Sequence, residues 1–234
     1  MCWNLQVSLT FALLYFLTII LYIVKRPKYW RGYSLFSGFY LVMELFQAAQ
    51  WLYGDVETTY SEYGPKSCSL INKNFTYVAY VLIWLQPFLY SIIGLIELKK
   101  KVFKKLMLFN LIIFLYGIID LIILRKIYNI KYMIKDSNFG PDTCTDVGPT
   151  HHLTWRFSPS NIDLQLNNLT YLILCGVNFL FYKNELKNIR NGWLFALILT
   201  KIILFPTNAE MPSSWCLMSV FANLLILMGA DFQT

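Results

Sequence analysis

Apolar stretches alternate with short polar clusters along the whole chain. A helix needs about 20 mostly apolar residues to cross the roughly 30 Å of hydrocarbon in a bilayer. Seven stretches approach that length: about 5–24, 33–54, 75–97, 106–124, 164–182, 192–206 and 212–230. The pattern predicts an all-α, polytopic transmembrane helix bundle that forms one domain over residues 1–234. The sixth stretch is short and ends at Pro206, so a bundle of six spans is the alternative.

The composition narrows the class of protein. The chain is 57% hydrophobic and 14% charged, whereas soluble domains carry about 25% charged residues. The net charge of +7 comes from Lys and Arg in short clusters between apolar stretches, which fits the anionic inner face of a membrane and argues against nucleic acid as a partner. No CxxC pair, nucleotide-binding glycine loop, GxSxG or HExxH motif is present. We therefore predict the lipid bilayer as a partner, no cofactor and no metal site.

The positions of Lys and Arg predict that the N-terminus lies outside and the C-terminus inside. In that orientation twelve of these residues fall in inside loops and seven in outside loops, and basic residues are enriched inside. Residues 125–163 then form a long outside loop. Its first part has apolar residues at helical spacing, which predicts an interfacial helix or an extension of the fourth span. Its second part, 137–161, is rich in turn residues and predicts an irregular loop.

Polar residues inside the predicted spans define a candidate midplane site. Glu44 lies about 16 Å from the inside end of its helix and Lys201 about 13 Å from the inside end of its own. Gln86 and Asn223 reach nearly the same level from the outside, and Gln47 shares a helix face with Glu44. Charges in hydrocarbon normally have partners, so Glu44 and Lys201 are predicted to neutralise each other. Alternatively, these residues are interhelical hydrogen-bonding groups with a purely structural role.

A second group of polar residues is predicted to lie nearer the outside. Asp120 is in the outer half of the fourth span, His151 and His152 are in the long loop, and Glu210 precedes the seventh span. Together with the polar stripe that begins at Glu44, they suggest a polar path that opens to the exterior. A metal-dependent hydrolase is a weaker interpretation, because adjacent histidines point in different directions and rarely bind one metal together.

Two features of the outside loops are candidates for covalent modification. Cys68 precedes the third span and Cys144 lies in the long loop, so both would face an oxidising compartment. A disulfide between them and two free thiols are both open, because sequence does not fix connectivity. Asn74 begins an Asn-Phe-Thr glycosylation sequon on the same side, although close to the membrane.

Four segments together resemble a family of uncharacterised multi-pass membrane proteins encoded by mimivirus-like giant DNA viruses: MELFQAAQW, WLQP, HHLTW and AEMPSSWC. The resemblance implies a protein of a host internal or virion membrane and carries no known activity. The residues themselves suggest a transporter, channel or sensor for a small polar solute or ion with a midplane site. A structural or interaction protein of a viral or internal membrane is the alternative, and an intramembrane hydrolase is the third.

Overall fold

Helices make up most of the protein. The computed structural model describes residues 4–123, 138–158, 168–182, 184–204, 207 and 209–232. Within these ranges, each predicted apolar stretch corresponds to one helix: α1 (Leu5–Lys25), α2 (Trp30–Tyr53), α3 (Leu70–Leu98), α4 (Lys101–Ile118), α5 (Asn168–Tyr182), α6 (Lys187–Leu199) and α7 (Met211–Met228). Both α4 and α6 continue into a π-helical turn, Ile119–Ile123 and Thr200–Leu204 respectively.

Short polar segments determine where several helices begin and end. The side chains of Asn4 and Ser69 accept hydrogen bonds from the first turns of α1 and α3, which is the usual way to satisfy free amides at a helix start. Arg26 and Lys99 end the same two helices in the left-handed conformation, with φ of 46° and 53°. Pro212 occupies an early position of α7, where its missing N–H has no consequence. The connections from α1 to α2 and from α3 to α4 are therefore short, and these helices run antiparallel.

Successive helices run up and down, so alternate helix ends meet at each end of the bundle. We call the end at residues 25–31, 97–101, 182–190 and 228–232 the lysine end, because most of the Lys and Arg clusters lie there. Three contacts hold it together: Glu97 Oε1 accepts from Gly32 N at 2.6 Å, Lys100 Nζ lies 2.5 Å from Glu185 Oε2, and Asn188 Nδ2 donates to Gly229 O at 2.6 Å.

Large apolar side chains cover much of the outer surface of the bundle. Exposed ones follow α1 and α4 along their length: Leu9, Leu13, Leu17, Ile20, Val24, Leu108, Ile112 and Leu115. Four of the helices described are long and apolar enough to cross a membrane, judged by length and composition: Leu5–Lys25, Leu70–Leu98, Lys101–Leu121 and Met211–Met228. Water does not stabilise such a surface, and contiguous exposed apolar area normally marks a membrane or protein contact.

The end opposite the lysine end carries a β-hairpin. We use the name cap for this hairpin together with residues 55–69 and 138–143. Strands β1 (Cys144–Val147) and β2 (Leu153–Arg156) pair antiparallel. Isolated bridges join Glu57 to Asp146 and Phe139 to Phe157 on either side of the hairpin. The prediction of a purely α-helical protein with an irregular loop at 137–161 is therefore wrong. The turn residues at 148–151 form a hairpin turn, in which Gly148 N donates to His152 O at 2.8 Å.

Predictions for part of the long loop lie outside the described residues. These are the interfacial helix or helix extension expected in the first part of 125–163, and the part of the fifth span before Asn168.

The aromatic core lies within the described residues and fills the bundle between the two ends. Trp215 on α7 lies at its centre, 5.0 Å from the ring of Trp193, with its Nε1 donating to Tyr40 Oη at 2.9 Å.

Candidate functional site

A cavity lies between α2, α3, α5 and α7 in the half of the bundle nearest the cap. Its volume is about 30 Å³, and it is lined by Met43, Ile83, Gln86, Asn168, Tyr171, Leu172, Met211, Pro212 and Trp215. Most of these side chains are apolar, and none carries a charge. Gln86 is 2% exposed and accepts a hydrogen bond from the hydroxyl of Tyr171. The cavity therefore combines apolar walls with three polar side chains, the amides of Gln86 and Asn168 and the phenol of Tyr171, a composition typical of small-molecule sites.

A network of amides next to this cavity fixes α3 to α4 and α5. Its centre is the carbonyl oxygen of Pro87, which accepts from Asn110 Nδ2 at 3.0 Å and from Asn178 Nδ2 at 3.1 Å. Ser91 Oγ completes the network by donating to Asn178 Oδ1 at 2.7 Å. Sequence reasoning missed Asn110 and Asn178. The available signal was that Asn110 is the one amide of the predicted fourth span and that Asn178 follows the apolar stretch 171–177, and the proline one residue after Gln86 marked where they meet.

The predicted midplane layer is divided between separate sites. Glu44 is completely buried and hydrogen-bonded by Ser8 of α1. Lys201 is exposed on the π-helical turn after α6. The structure therefore does not bring Lys201 to Glu44, and the predicted charge pair is wrong. Both α2 and α6 pack against α7, and the last turn of α6 leaves Lys201 on the outer surface.

The remaining predicted midplane residues are buried and belong to different contacts. Asn223 on α7 accepts from Ser37 Oγ of α2 at 2.7 Å and donates to Thr18 Oγ1 of α1 at 3.2 Å. Gln47 is fully buried on α2, whereas Gln86 belongs to the cavity between α3 and α5. These amides join helices in pairs and triplets, so equal depth along the helices did not predict a common site.

Two of the predicted outer polar residues meet at the turn of the hairpin. Glu210 is fully buried, and its Oε1 accepts from Thr150 N at 2.9 Å and from Thr150 Oγ1 at 2.8 Å. Thr207 Oγ1 donates to the other carboxylate oxygen at 3.2 Å. The Nδ1 atom of His152 lies 2.8 Å from Thr150 Oγ1. Thr150 thus links His152 to Glu210 and fastens the hairpin turn to the start of α7.

The other two members of the predicted outer cluster lie elsewhere. His151 is exposed and has a φ of 61°, so its ring does not share the buried position of His152. Asp120 is buried on the π-helical turn after α4, where it interacts with Tyr80 and Tyr116. The four residues therefore do not form one polar path.

The side-chain amide of Asn72 on α3 pairs with the backbone of β1 and attaches the cap to the bundle. Asn72 Oδ1 accepts from Thr145 N at 2.7 Å, and Asn72 Nδ2 donates to Thr145 O at 2.9 Å. Gln50 on α2 adds a donation to Thr145 Oγ1 at 2.7 Å and accepts from Trp155 Nε1 at 3.0 Å. The amides of Asn72 and Gln50 thus supply hydrogen-bond partners to buried polar groups of the hairpin. Without such partners, burial of these groups would be unfavourable.

A buried ion pair fastens the loop before α3 to the hairpin. Arg156 Nε lies 3.4 Å from Asp146 Oδ1, and both side chains are fully buried. The guanidinium also donates to Ser61 O at 2.7 Å and to Glu62 O at 3.3 Å. Burial raises the pKa of Asp146 to about 6, although the nearby Arg156 guanidinium opposes that shift. The pair therefore connects three chain segments of the cap at one point.

The structure joins Cys68 to Cys144 through a disulfide, with the Cα atoms 6.0 Å apart. Among the described His, Cys, Asp and Glu residues, one group has metal-ligand spacing: Cys68, Cys144 and Asp142. Two of its donors are consumed by the disulfide, and Asp142 is paired with Lys73 at 2.6 Å. This group is therefore a covalent and ionic brace, not a metal centre.

The predicted glycosylation site lies on α3, about one turn from its start. Asn74 is exposed, but Thr76 of the same sequon is completely buried. Thr76 Oγ1 donates to Asn72 O at 2.8 Å and lies 2.7 Å from Thr145 Oγ1. Glycosylation of Asn74 remains a prediction, and the folded structure encloses the hydroxyl that the sequon requires.

We expect acidification to weaken the cap through His152. Burial lowers its pKa from 6.5 to about 4, so the folded protein favours the neutral ring. The corresponding stability is complete above pH 6.5 and is lost as the pH falls towards 4, by up to about 3 kcal/mol. Denaturant unfolding of wild type and His152→Gln at pH 7.5 and pH 4.5 measures this difference. Asp146 contributes with the opposite sign but cancels between the two proteins, and an identical pH dependence in both would contradict the expectation.

The fold and its contacts define a bundle of seven described helices closed at one end by a disulfide-bonded β-hairpin cap. Residues 6–233 match a family of unknown function, DUF5765, and the chain belongs to that family. It is 48% identical to an uncharacterised protein of Acanthamoeba polyphaga mimivirus over 242 aligned positions, which cover 100% of this chain and 97% of the relative. The predicted relationship to an uncharacterised giant-virus family is thereby confirmed. No solved structure matches the chain.

Proposed function

We propose that the protein is a multi-pass integral membrane protein in which all seven helices span the bilayer, with the N-terminus outside and the C-terminus inside. The apolar outer faces of α1 and α4 support a lipid environment. The basic clusters at the lysine end support its placement inside, and the disulfide supports an oxidising compartment around the cap. The giant-virus relative favours a virion membrane or an internal membrane of the host.

Engineered glycosylation tests this topology. An acceptor site inserted in residues 140–150, on the cap, is expected to be modified in microsomes, whereas a site in residues 99–105, at the lysine end, is not. The first insertion lies in the cap, outside the helices, and the second is best placed at Lys99 and Lys100, between α3 and α4, because α4 begins at Lys101. Modification of the second site, or extraction of the wild-type protein from membranes by alkaline carbonate, would contradict the proposed orientation or the membrane placement respectively.

Within this architecture we propose that the protein senses or transports a small neutral solute, which it binds in the cavity beneath the cap. The observation that carries this proposal is the pairing of apolar walls with Gln86 and Tyr171 at one position. A bare ion is not favoured, because no lining residue is charged and desolvating an ion is costly. A solute with an apolar body and one hydroxyl or carbonyl group matches both parts of the lining.

A small brominated alcohol such as 2-bromoethanol is a suitable probe of this small cavity, because bromine quenches tryptophan fluorescence and Trp215 lines the site. We expect saturable quenching in wild type that is lost in Trp215→Phe. Gln86→Leu should weaken binding about 5- to 10-fold, since a net hydrogen bond contributes about 1 kcal/mol. Lys201→Met, at an exposed position that does not line the cavity, is the control and should bind as wild type does. Uptake of the same alcohol into proteoliposomes separates a transporter from a sensor.

A structural or interaction protein is the second candidate, and the paired polar groups of the bundle favour it. Asn223 with Ser37 and Thr18, and Asn178 with Ser91, join helices much as structural hydrogen bonds do. Under this alternative, the brominated alcohol quenches wild type and Trp215→Phe alike or without saturation, while Asn178→Leu still lowers the unfolding temperature. That combination would exclude the solute site and leave the structural function.

A further inference from the structure

A second pocket opens at the lysine end, on the opposite side of the bundle from the solute cavity. Its volume is about 260 Å³, and it lies where the start of α2, the start of α6 and the end of α7 converge. Asn188 Nδ2 holds these three elements together by donating to Gly229 O at 2.6 Å and to Tyr33 Oη at 3.3 Å. The walls of the pocket are therefore fixed by contacts within the protein.

The charges of this pocket are only partly compensated within the protein. Lys28 and Lys187 contribute two ammonium groups, and neither forms an ion pair with any acid in the described ranges. The carboxylate of Glu185 is occupied by Lys100, whose Nζ lies 2.5 Å from Oε2. The carboxylate of Asp231 also lines the pocket and has no basic partner among the same residues. The pocket thus presents two cations and one anion that form no ion pair with the residues that the structure describes, and Lys28 Nζ lies 5.0 Å from the centre of the Tyr29 ring.

We propose that this pocket binds a phosphate ester that carries an ammonium group, as in phosphoethanolamine. Lys28 and Lys187 match the anionic phosphate group of such a ligand, because lysine ammonium groups are effective phosphate partners. Asp231 matches the ammonium end, which would be repelled if the pocket were uniformly basic. A plain inorganic anion satisfies the lysines but faces the carboxylate of Asp231, so it fits this set of charges less well.

The phosphoammonium group has two sources, a membrane lipid and a soluble metabolite. Trp30 lies close to the pocket in sequence, with the guanidinium groups of Arg26 and Arg31 at 5.8 and 5.5 Å from its ring. Aromatic and basic residues of this kind collect at the level of lipid headgroups. A phosphatidylethanolamine headgroup is therefore the source that fits the position, and this choice of source rests on the membrane placement proposed above.

Binding of soluble ligands to the detergent-purified protein tests the chemistry without any reference to a membrane. By calorimetry, O-phosphoethanolamine should bind about tenfold more tightly than inorganic phosphate, the effect of one additional ion pair of about 1.4 kcal/mol. The double substitution Lys28→Gln with Lys187→Gln should abolish binding of both. Asp231→Asn should remove the tenfold preference and leave phosphate binding intact. Lys104→Gln, an exposed lysine on α4 that does not line the pocket, is the matched control.

Nanodiscs that contain phosphatidylethanolamine or phosphatidylglycerol then identify the source. Enrichment of phosphatidylethanolamine by wild type, and not by Asp231→Asn, supports the lipid headgroup. Binding of O-phosphoethanolamine without lipid enrichment supports a soluble ligand for the same pocket. Equal affinity of wild type for O-phosphoethanolamine and inorganic phosphate, or binding that survives the double lysine substitution, would overturn the proposal. Failure of the membrane placement alone leaves the soluble measurement unchanged, so the two failures are distinguishable.

Discussion

Replacement of both Cys68 and Cys144 by serine is expected to lower the free energy of unfolding by about 2–5 kcal/mol. The bond joins the segment before α3 to strand β1 across 76 positions of sequence, and opening it frees a long loop in the unfolded chain. Thermal unfolding of the purified protein, followed by tryptophan fluorescence, measures the loss. Trp155 lies in the cap and reports on it directly.

The control for this prediction is a cysteine that is not in the disulfide. Cys175 is a buried free thiol on α5, and Cys175→Ala should keep the response of wild type to reductant. Reductant should shift the unfolding temperature of wild type and of Cys175→Ala towards that of the double serine variant. It should leave the double variant unchanged. Wild type that unfolds at the same temperature with and without reductant would show that the bond contributes nothing to stability.

The second large effect is expected from Arg156→Met. This change leaves the carboxylate of Asp146 buried without its cation, and breaking a buried pair in this way costs about 3–5 kcal/mol. It also removes the donors to Ser61 O and Glu62 O, so the loop before α3 should become sensitive to protease. Denaturant unfolding and limited proteolysis of the cap measure the two consequences separately.

Two further measurements identify the stranded charge as the cause. Adding Asp146→Leu to Arg156→Met should recover part of the lost stability, because the unpaired carboxylate is then absent. The single variant should also lose more stability at pH 8 than at pH 5, since loss of the guanidinium raises the already elevated pKa of Asp146 further and protonation at pH 5 removes the charge. An equal loss at both pH values would mean that packing, not charge, accounts for the effect.

The positions of the helices were predictable because an apolar stretch long enough to cross a membrane has few alternatives to forming a helix. The helices begin and end within a few residues of the predicted stretches, and the helix starts that shift most are Leu70, Lys101 and Lys187, where polar residues join the first turn. Helix starts are less certain because residues such as Asn72 and Lys104 are compatible with both a loop and a helix end. Apolar content alone does not distinguish them.

The hairpin was not predictable from the same pattern. A half-buried strand shows alternation of polar and apolar residues, but both faces of β1 and β2 are buried, against the helices on one side and the cap loop on the other. Thr145, Asp146 and Arg156 therefore occupy interior positions that sequence reasoning assigns to a polar loop. Their partners lie up to 95 positions away in sequence, as Gln50 does from Thr145, so no local signal reveals them.

The position of a residue along its helix predicted its height in the bundle but not the direction in which its side chain points. Glu44 and Lys201 were placed at matching heights by the helical rise, yet the direction in which each side chain points depends on how its helix is rotated against its neighbours. The amides of Asn223 and Gln86 were correctly expected inside the bundle, where both are buried. Their separation into different clusters follows from the packing of α7 and α3 with different helices, which one sequence does not specify.

The attachment of the hairpin to α7 has a consequence for biosynthesis. Glu210 and Ser213 hold the hairpin turn and the carbonyl of Leu153, yet both leave the ribosome after the whole hairpin has been made. A nascent chain that already carries the disulfide still lacks these two attachments. Synthesis of the start of α7 therefore finishes the cap, and a chain truncated before residue 207 would expose an incompletely attached hairpin to quality control.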